Sequence, residues 1–600
     1  MEASSIYHKK IRDNEAKLEV IIRKKKWFTL LRAVTFLGSI AGFYFLFPLS
    51  LPAAILAALF FLALFIYFIQ SDIQNSRKEQ ICKIMISINR NEIEFLNGNF
   101  SQFEDGAEYT DPKHPYTFDL DIFGEASLFQ FLNRTSGNPG KGSLARRLMN
   151  ISEKKNISRE QEAVKEISAK LNFRQQLIMK GMMHKKREDA AAKIIDFLKS
   201  TDVLSKNALL KFVVNGFPFL SIPLLILSFF IVPPGYLLLL LMLSFLINYQ
   251  YVRKTGIVHN RISGTNEALA GFAEVIASIE KESFSTANLS ALKEKLFHHE
   301  RDASEIIQKL SKYGKRLDYR LNIFVAIPLN LFLLWDLKQL MLIEKWKKKY
   351  HDIIPDWFNI LGEFESLSCF GNIAYNFPDW HFPEVKNSEG FVFEAEEMGH
   401  PLISRNKRIN NNFKIHGRSS IAIITGSNMS GKTTFLRTIG VNLVLAQNGA
   451  PVCAKSLRFS PVGLHTSMRI MDSLSENTSS FYAELKRLNE ILQRARKRDN
   501  VLLLMDEILR GTNSHDRHLG SEALVRQLVK NKAVGLLATH DLELSQLEKE
   551  LPENIANYNF DVQISGKELF FDYKLHPGVC KSMNATILME KMGIEMNRND

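Results

Sequence analysis

The segment from residue 421 to residue 437 carries the clearest chemical signal in this sequence. An apolar strand, residues 421–425, runs into the pattern G-x-x-x-x-G-K-T, and helix-forming residues follow. The residues of this turn are Gly426, Ser427, Asn428, Met429, Ser430, Gly431, Lys432, Thr433 and Thr434. Such a turn directs backbone amides at phosphate oxygens, and the N-terminus of the following helix adds a favourable dipole. The pattern predicts binding of a nucleoside triphosphate, and a glycine-rich turn without function is the alternative.

Four side chains near this turn suit phosphate and metal chemistry. Lys432 is predicted to contact the β- and γ-phosphates and Thr433 to ligate Mg²⁺, so ATP and Mg²⁺ are the expected cofactors. A second apolar strand, residues 501–505, ends in Asp506 and Glu507, at the edge where ligands collect in open α/β sheets. Asp506 would hold the metal through its water shell, and Glu507 would polarise the attacking water. Taken alone, these two acids also fit a helix-cap sequence.

A histidine follows a third apolar strand. Residues 533–538 lead into Thr539 and His540, and His540 could contact the γ-phosphate. A plain loop histidine is the alternative. From about residue 370 onward, short β-rich runs alternate with helices, which is typical of a mostly parallel α/β sheet. The predicted catalytic residues are Lys432, Glu507 and His540, and the predicted metal site is Thr433 with Asp506.

The bulk composition limits the classes of partner without choosing one. The chain has 600 residues, a formal net charge of +13 and four cysteines. Positive charge suits nucleic acid or an acidic lipid surface equally well. The cysteines lie far apart with no C-x-x-C pair, so neither a disulfide framework nor a zinc site is indicated. We therefore expect the soluble part to lie in a reducing cytosol.

Two long apolar segments predict membrane-spanning hairpins. Residues 33–71 and 212–252 contain no charged side chain, and each is about twice the roughly 20 residues of one spanning helix. Proline-containing turns interrupt both near the middle, at 47–52 and 232–235. Two transmembrane helical hairpins are therefore expected, and a pair of buried core helices is the alternative.

Flanking charge predicts the orientation of the hairpins. Neither tip is charged, whereas both bases carry lysine and arginine, so the positive-inside tendency places the tips outside. The prediction is a multi-pass protein of a bacterial cytoplasmic (inner) membrane, with its ATPase domain in the cytoplasm. A shorter apolar stretch, residues 321–334, is expected to form a buried or interfacial helix, and its embedding in the membrane stays open.

The expected fold class is an α/β P-loop ATPase domain preceded by an all-α domain with two transmembrane helical hairpins. The family resemblance described below implies that the ATPase domain is of the ABC type and that the all-α part is a core and lever domain. The predicted divisions are a basic arm (1–28), hairpin 1 (29–71), a helical connector (72–110), a helical core (111–207), hairpin 2 (208–253), lever and core helices (254–365) and the ATPase domain (366–600).

Several motifs together resemble the ATPase domain of the DNA mismatch repair MutS family, a branch of the ABC ATPases. The motifs are the turn with Asn428-Met429, the run from Met505 to Ile508 with Arg510 to Ser514 after it, and Ala538-Thr539-His540. Residues 119–123, 132–135 and 157–166 are similar to the family's helical core domain. The resemblance covers residues 117–200 and 256–600 and leaves both hairpins outside.

The resemblance implies roles that the spacing of residues does not. It implies a homodimer with two composite sites, in which Ser479 of one subunit reaches the γ-phosphate bound by the other. Asn428 would serve the same composite site. Phe413 would stack on adenine, and a packed core phenylalanine is the alternative for this residue.

Departures from the family pattern leave three functions open. The first hundred residues contain no Phe-x-Glu, and the second hairpin occupies the place where the family inserts its DNA clamp. The first hypothesis is a membrane-anchored ATPase that still acts on DNA, with a repair partner. The second is an ATP-driven switch that acts on membrane lipids or an unknown membrane partner. The third, an ABC-type transporter, is disfavoured because four spans leave little wall for a path and L-S-G-G-Q is absent.

Overall fold

A computed structural model describes most of the chain. The described residues are 2–151, 156–184, 190–202, 208–298, 301–386, 390–469, 480–497, 500–565 and 568–580. Within them, a helical part that ends at Asn376 is followed by two β-sheets with flanking helices. This order agrees with the predicted helical part followed by an α/β domain.

The helices and strands are numbered along the chain. The helices are α1 (Glu2–Leu46), α2 (Leu51–Leu96), α3 (Leu128–Leu132), α4 (Asn138–Met149), α5 (Ile157–Ala169), α6 (Leu171–Met183), α7 (Ala190–Lys199), α8 (Ala208–Leu227), α9 (Pro234–Ile262), α10 (Asn266–Lys281), α11 (Ala287–Glu294), α12 (Ala303–Leu317), α13 (Ile323–Leu333), α14 (Trp335–Tyr350), α15 (Ile354–Asn376), α16 (Lys432–Gln447), α17 (Ser480–Arg496), α18 (Ser514–Lys530) and α19 (Leu547–Glu550). The strands are β1 (Phe297–His298), β2 (Arg301–Asp302), β3 (Glu384–Val385), β4 (Phe391–Met398), β5 (Asn411–Gly417), β6 (Ser420–Gly426), β7 (Ser456–Phe459), β8 (Gly463–Ser467), β9 (Val501–Asp506), β10 (Val534–Thr539), β11 (Ile555–Ser565) and β12 (Glu568–Pro577).

The first hairpin is longer than its apolar segment. Helices α1 and α2 have 45 and 46 residues, so each is about 67 Å long at 1.5 Å per residue, roughly twice the hydrocarbon thickness of a bilayer. The predicted arm is therefore continuous with the first helix of the hairpin, and the second helix continues into the predicted connector as far as Leu96. Gly38 lets the two helices approach closely, because a Cβ atom there would lie 2.9 Å from the ring of Phe61.

A buried ion pair fixes the base of this hairpin in the helical domain. Arg134 donates from Nε to the Glu92 carboxylate of α2 at 2.6 Å, and the two side chains are 3 % and 4 % exposed. The guanidinium also lies 3.5 Å from the ring centre of Phe103. Glu92 accepts two further hydrogen bonds from Asn372 and Asn376 of α15. This carboxylate therefore joins α2 to α15, a helix whose residues are mostly buried.

The second hairpin packs with a third apolar helix. Helices α8 and α9, like α1 and α2, are long and apolar enough to cross a membrane, and α13 with α14 forms a further pair bent by 79°. No residue of α13 is buried, so of the two options expected for 321–334 the buried helix is wrong and the interfacial helix stays a prediction. The last turn of α13 lies against hairpin 2, where Ser221 donates to the carbonyl of Phe332 (2.5 Å) and Asn248 to that of Asn330 (3.1 Å).

The larger sheet brings several strand ends to one edge. Its strand order is β12-β11-β6-β10-β9-β8, and every neighbouring pair is parallel except β11 with β12. In the register of the sheet, Thr425 lies opposite Thr539, and Ala538 lies opposite Asp506. The carboxyl ends of β6, β10 and β9 are therefore adjacent. A second, four-stranded sheet has the order β3-β7-β4-β5.

The ion pair of Arg134 with Glu92 predicts a large loss of stability when one partner is removed. Arg134→Ala leaves a buried carboxylate without its counter-ion, which costs about 3–5 kcal/mol. Arg90→Ala is the matched control, because Arg90 pairs with Glu15 at 2.7 Å between exposed side chains, where such pairs are worth about 0–1 kcal/mol. We expect a clearly lower midpoint of thermal unfolding for Arg134→Ala in detergent. Equal midpoints for the two variants would contradict this account of the hairpin base.

Candidate active site

The loop between β6 and α16 has the backbone conformation of a phosphate cradle. Gly426 and Gly431 have φ angles of 155° and 103°, which a residue with a side chain rarely adopts. A Cβ atom at Gly426 would lie 2.8 Å from the carbonyl oxygen of Phe560, so the loop also has no room for one. Asn428 and Met429 lie at the exposed outer side of the turn. The loop is therefore shaped by its glycines and open towards solvent at its tip.

Lys432 lies inside this loop. Its side chain is buried, and Nζ donates to the carbonyl oxygens of Gly426 and Ser427, each at 2.9 Å. The same nitrogen lies 3.4 Å from Nε2 of His540. Burial lowers the pKa of the Lys432 ammonium, because desolvation disfavours its charge. An anionic ligand in the loop would stabilise the charged form of this ammonium.

Thr433 and Asp506 meet as the sequence predicts for a metal site. The Thr433 hydroxyl donates to Oδ2 of Asp506 at 2.5 Å. At this site Oδ1 of Asp506 and Oγ of Ser430 are buried oxygens without a hydrogen-bond partner among the described residues. Burial raises the pKa of Asp506, because desolvation disfavours its charged form. Mg²⁺ prefers such hard oxygen ligands, so these residues fit a bound magnesium ion.

Glu507 and His540 form the second half of the site. Nε2 of His540 lies 2.8 Å from the Glu507 carboxylate, and Nε of Arg510 lies 3.2 Å from its other oxygen. The hydrogen bond from His540, assisted by the charges of Arg510 and Lys432, lowers the pKa of Glu507 to about 2. Glu507 is therefore a permanently charged carboxylate at neutral pH. Its φ of 47° turns the chain directly after β9.

The structure brings together five of the predicted site residues, Lys432, Thr433, Asp506, Glu507 and His540. Ser479 lies outside the described residues. Phe413 does not fit the predicted stacking on adenine. It is only 4 % exposed and packs against the rings of Phe393, Phe435 and Tyr558, so no face of its ring is free. Phe413 is instead a core residue of β5.

A pocket beside the loop offers a different place for a nucleotide base. It has a volume of about 240 Å³, and Ile409, Asn411, Gly431, Thr434 and Tyr573 are among its lining residues. The ring of Tyr573 stands 3.2 Å from where a Cβ atom of Gly431 would be. Sequence reasoning missed this pocket. The signal was weak but present, since Ile409 is a single apolar residue in the polar run 404–412.

Comparison with known proteins agrees with the geometry. Residues 422–594 match the family model of MutS domain V. The chain is 33 % identical over 226 residues to the DNA mismatch repair protein MutS of Aquifex pyrophilus, which covers 37 % of this chain and 26 % of that protein. It is 30 % identical over 239 residues to the MutS protein of Persephonella marina (39 % and 27 %) and over 238 residues to that of Thermotoga maritima (39 % and 29 %).

The fold and these matches define a P-loop ATPase domain at the C-terminal end of the described chain. Residues 422–594 are therefore similar to the ATPase domain of MutS proteins, and the likeness to that family rests on this domain. The chain spans between a quarter and three tenths of the length of these relatives. The shared part is the ATPase domain, and both hairpins lie outside it.

The pocket beside the loop predicts which aromatic ring contacts the base. Tyr573→Ala should weaken MgATP binding about three- to tenfold, because one aromatic contact is worth about 0.5–1.5 kcal/mol. Phe570→Ala is the matched control, since Phe570 is an exposed ring of the same strand that does not line the pocket. The measurement is the affinity for a fluorescent ATP analogue in the full chain. Equal affinities for the two variants would remove Tyr573 from the base site.

Proposed function

We propose that this protein is a membrane-anchored ATPase that hydrolyses ATP to ADP and phosphate. One observation carries the proposal. The phosphate loop, the oxygen ligands of Thr433 and Asp506, and the pair of Glu507 with His540 meet at the carboxyl edge of three adjacent parallel strands. This arrangement places a cation-binding group, a charged carboxylate and an imidazole around one position for a γ-phosphate.

The residues divide the work of hydrolysis between them. The backbone amides of residues 426–434 and the Lys432 ammonium would bind and orient the phosphates. Thr433 and Asp506 would hold Mg²⁺, which neutralises charge that develops on the phosphate oxygens. Glu507 would orient the attacking water. The hydrogen bond from His540 lowers the pKa of Glu507, so its carboxylate is charged and can accept a hydrogen bond from that water.

The proposed site is completed by a second subunit. Asn428 and Met429 are exposed at the tip of the loop. The N-terminal end of α18, which begins at Ser514, lines an open pocket together with Glu507 and His540. These surfaces support a homodimer in which each subunit contributes to the partner's nucleotide. The predicted contribution of Ser479 belongs to this proposal.

Membrane anchoring is proposed from the four long apolar helices. Their apolar side chains are largely exposed in this chain, as shown by Phe36, Phe60, Phe219 and Leu239, and water would be an unfavourable environment for so large a surface. Lipid covers such helices in membrane proteins. Arg32 and Asp72, which directly flank the first apolar segment, form an ion pair at 3.1 Å. This pair suits the boundary between the apolar part of the membrane and water. The localisation would be the cytoplasmic membrane, with the ATPase domain in the cytoplasm.

Action on DNA is a second candidate function. The relatives that share the ATPase domain are named DNA mismatch repair proteins, and the chain carries a net charge of +13. The hairpins, however, stand where the DNA-binding parts would be expected. A switch that acts on the membrane or a membrane partner therefore remains the other output of the same ATPase.

The ATPase proposal predicts different effects for two variants. Lys432→Ala should lose MgATP affinity, whereas Glu507→Gln should bind MgATP normally and lower kcat by about 100-fold or more. Glu553→Gln, an exposed charge change in the same domain, is the control and should match the wild type. The rates are measured in nanodiscs with and without homoduplex, mismatched and branched DNA at low salt. Unchanged turnover in Lys432→Ala and Glu507→Gln would disprove the ATPase, and rates indifferent to every DNA form would disprove the second candidate.

The membrane proposal predicts which positions face the outside. The cysteines at positions 82, 369, 453 and 580 are buried, so a single introduced cysteine can be labelled with a membrane-impermeant maleimide. Leu49→Cys and Ile231→Cys, at the exposed tips of the two hairpins, should react in right-side-out vesicles. Ser76→Cys, exposed on α2 beyond the apolar segment, should react only after permeabilisation. Equal labelling of all three positions before permeabilisation would rule out this topology.

A further inference from the structure

Two acidic side chains of the helical domain lie where it meets the ATPase domain. Asp119 is buried, and its carboxylate accepts hydrogen bonds from the Thr466 hydroxyl (2.6 Å) and the backbone amides of Met468 (3.2 Å) and Arg469 (3.0 Å). Thr466 belongs to β8, the edge strand of the larger sheet. Asp119 therefore caps the carboxyl end of β8, a strand that does not lead into the phosphate loop.

Asp121 holds two arginines of the ATPase domain. Its carboxylate accepts hydrogen bonds from Nη1 of Arg437 (2.8 Å) and from Nη1 and Nη2 of Arg469 (2.7 and 3.0 Å). Arg437 lies on α16, the helix that begins with Lys432, and burial lowers the pKa of its guanidinium. A partly buried cation of this kind depends on its carboxylate partner. Asp121 also has a φ of 51°, so the fold holds it in a strained conformation.

A third contact extends this cluster to α17. Arg487 of α17 donates from Nε to the carbonyl oxygen of Thr466 (3.0 Å) and from Nη2 to that of Pro115 (2.9 Å). One segment of the helical domain, residues 114–121, therefore contacts α16, the end of β8 and α17 together. We call this segment the acidic clasp.

Helix α17 leads back to the catalytic carboxylate. Its buried Glu484 accepts a hydrogen bond from the backbone amide of Leu509. Leu509 stands two residues after Glu507 and has a φ of 61°, so the loop is held in a strained turn at this point. A ring of contacts thus begins at α16 with Lys432, passes through the acidic clasp and α17, and returns to the loop of Glu507.

We propose that Asp121 is a positioning residue for ATP hydrolysis. It fixes the helix that carries Lys432 relative to β8 and α17, and α17 in turn holds the loop of Glu507. Asp121 touches neither the phosphate loop nor the pair of Glu507 with His540, and it acts through Arg437 and Arg469. The inference rests on the ATPase function proposed above. Without the charge of Asp121, the phosphate loop is intact but the distance between Lys432 and Glu507 is less well defined.

The test is Asp121→Asn in the full chain, which keeps the size of the side chain and removes its charge. We expect kcat to fall about tenfold or more, because hydrogen bonds to charged groups are among the strongest in proteins. The affinity for MgATP should stay within about threefold of the wild type, since small misplacements cost rate more than binding. Glu125→Gln removes the same charge from an exposed position in the same loop and should have no effect.

A double-mutant cycle separates positioning from general support of the fold. Arg469→Gln breaks the same contact from the ATPase side, so the double variant should lose no more rate than the worse single variant. The inference is overturned by a kcat of Asp121→Asn equal to that of Glu125→Gln, by an equal loss of MgATP affinity, or by additive losses with Arg469→Gln. Should Asp121→Asn not fold, Arg469→Gln gives the same comparison of kcat with affinity. Absence of turnover in the wild type and Glu125→Gln would instead overturn the ATPase itself.

Discussion

The parallel hydrogen-bond ladder of β6, β10 and β9 is the constraint on which the site depends. Each of these strands is almost fully buried and ends in a residue with a chemical role, or directly before one. Because the register sets Thr425 beside Thr539 and Ala538 beside Asp506, three segments distant in sequence must deliver their polar ends to one place. A shift of one residue in β9 would turn Asp506 to the other face of the sheet and separate it from Thr433.

Burial at the edge of the same sheet explains why ionisable groups of the site have shifted pKa values. Asp506 and Lys432 are both buried, and each has a pKa shifted towards its neutral form by desolvation. Glu507 is shifted the opposite way because His540 donates to it. Burying one acid and one base while stabilising a second acid is costly without a ligand. A triphosphate with its magnesium ion carries the charges that would satisfy these groups together, which is the physical reason to prefer this ligand.

The sequence predicted the parts of the site that are local in the chain. The phosphate loop, Asp506, Glu507 and His540 each follow an apolar strand. Each of these parts can therefore be recognised within a stretch of about ten to fifteen residues. It could not predict contacts between distant segments. The pocket beside the loop needs Asn411 next to Tyr573, where the amide of Asn411 donates to the carbonyl of Tyr573 at 3.1 Å. For Phe413 the sequence left open stacking on adenine or packing in the core, because its burial depends on rings of β4, α16 and β11 that are distant in the chain.

A short series of contacts within the helical domain connects the ATPase domain to the first hairpin. The backbone carbonyl of Asp121 accepts a hydrogen bond from Leu128 at 3.0 Å, which fixes the start of α3. Shortly after α3 comes Arg134, whose buried pair with Glu92 holds α2. Because α2 is one unbroken helix from Leu51 to Leu96, a rotation at Glu92 moves its apolar end by a larger distance. These contacts form one continuous path from α16 to the apolar end of the first hairpin, and it is the path through which the proposed ATPase would act on the proposed membrane anchor.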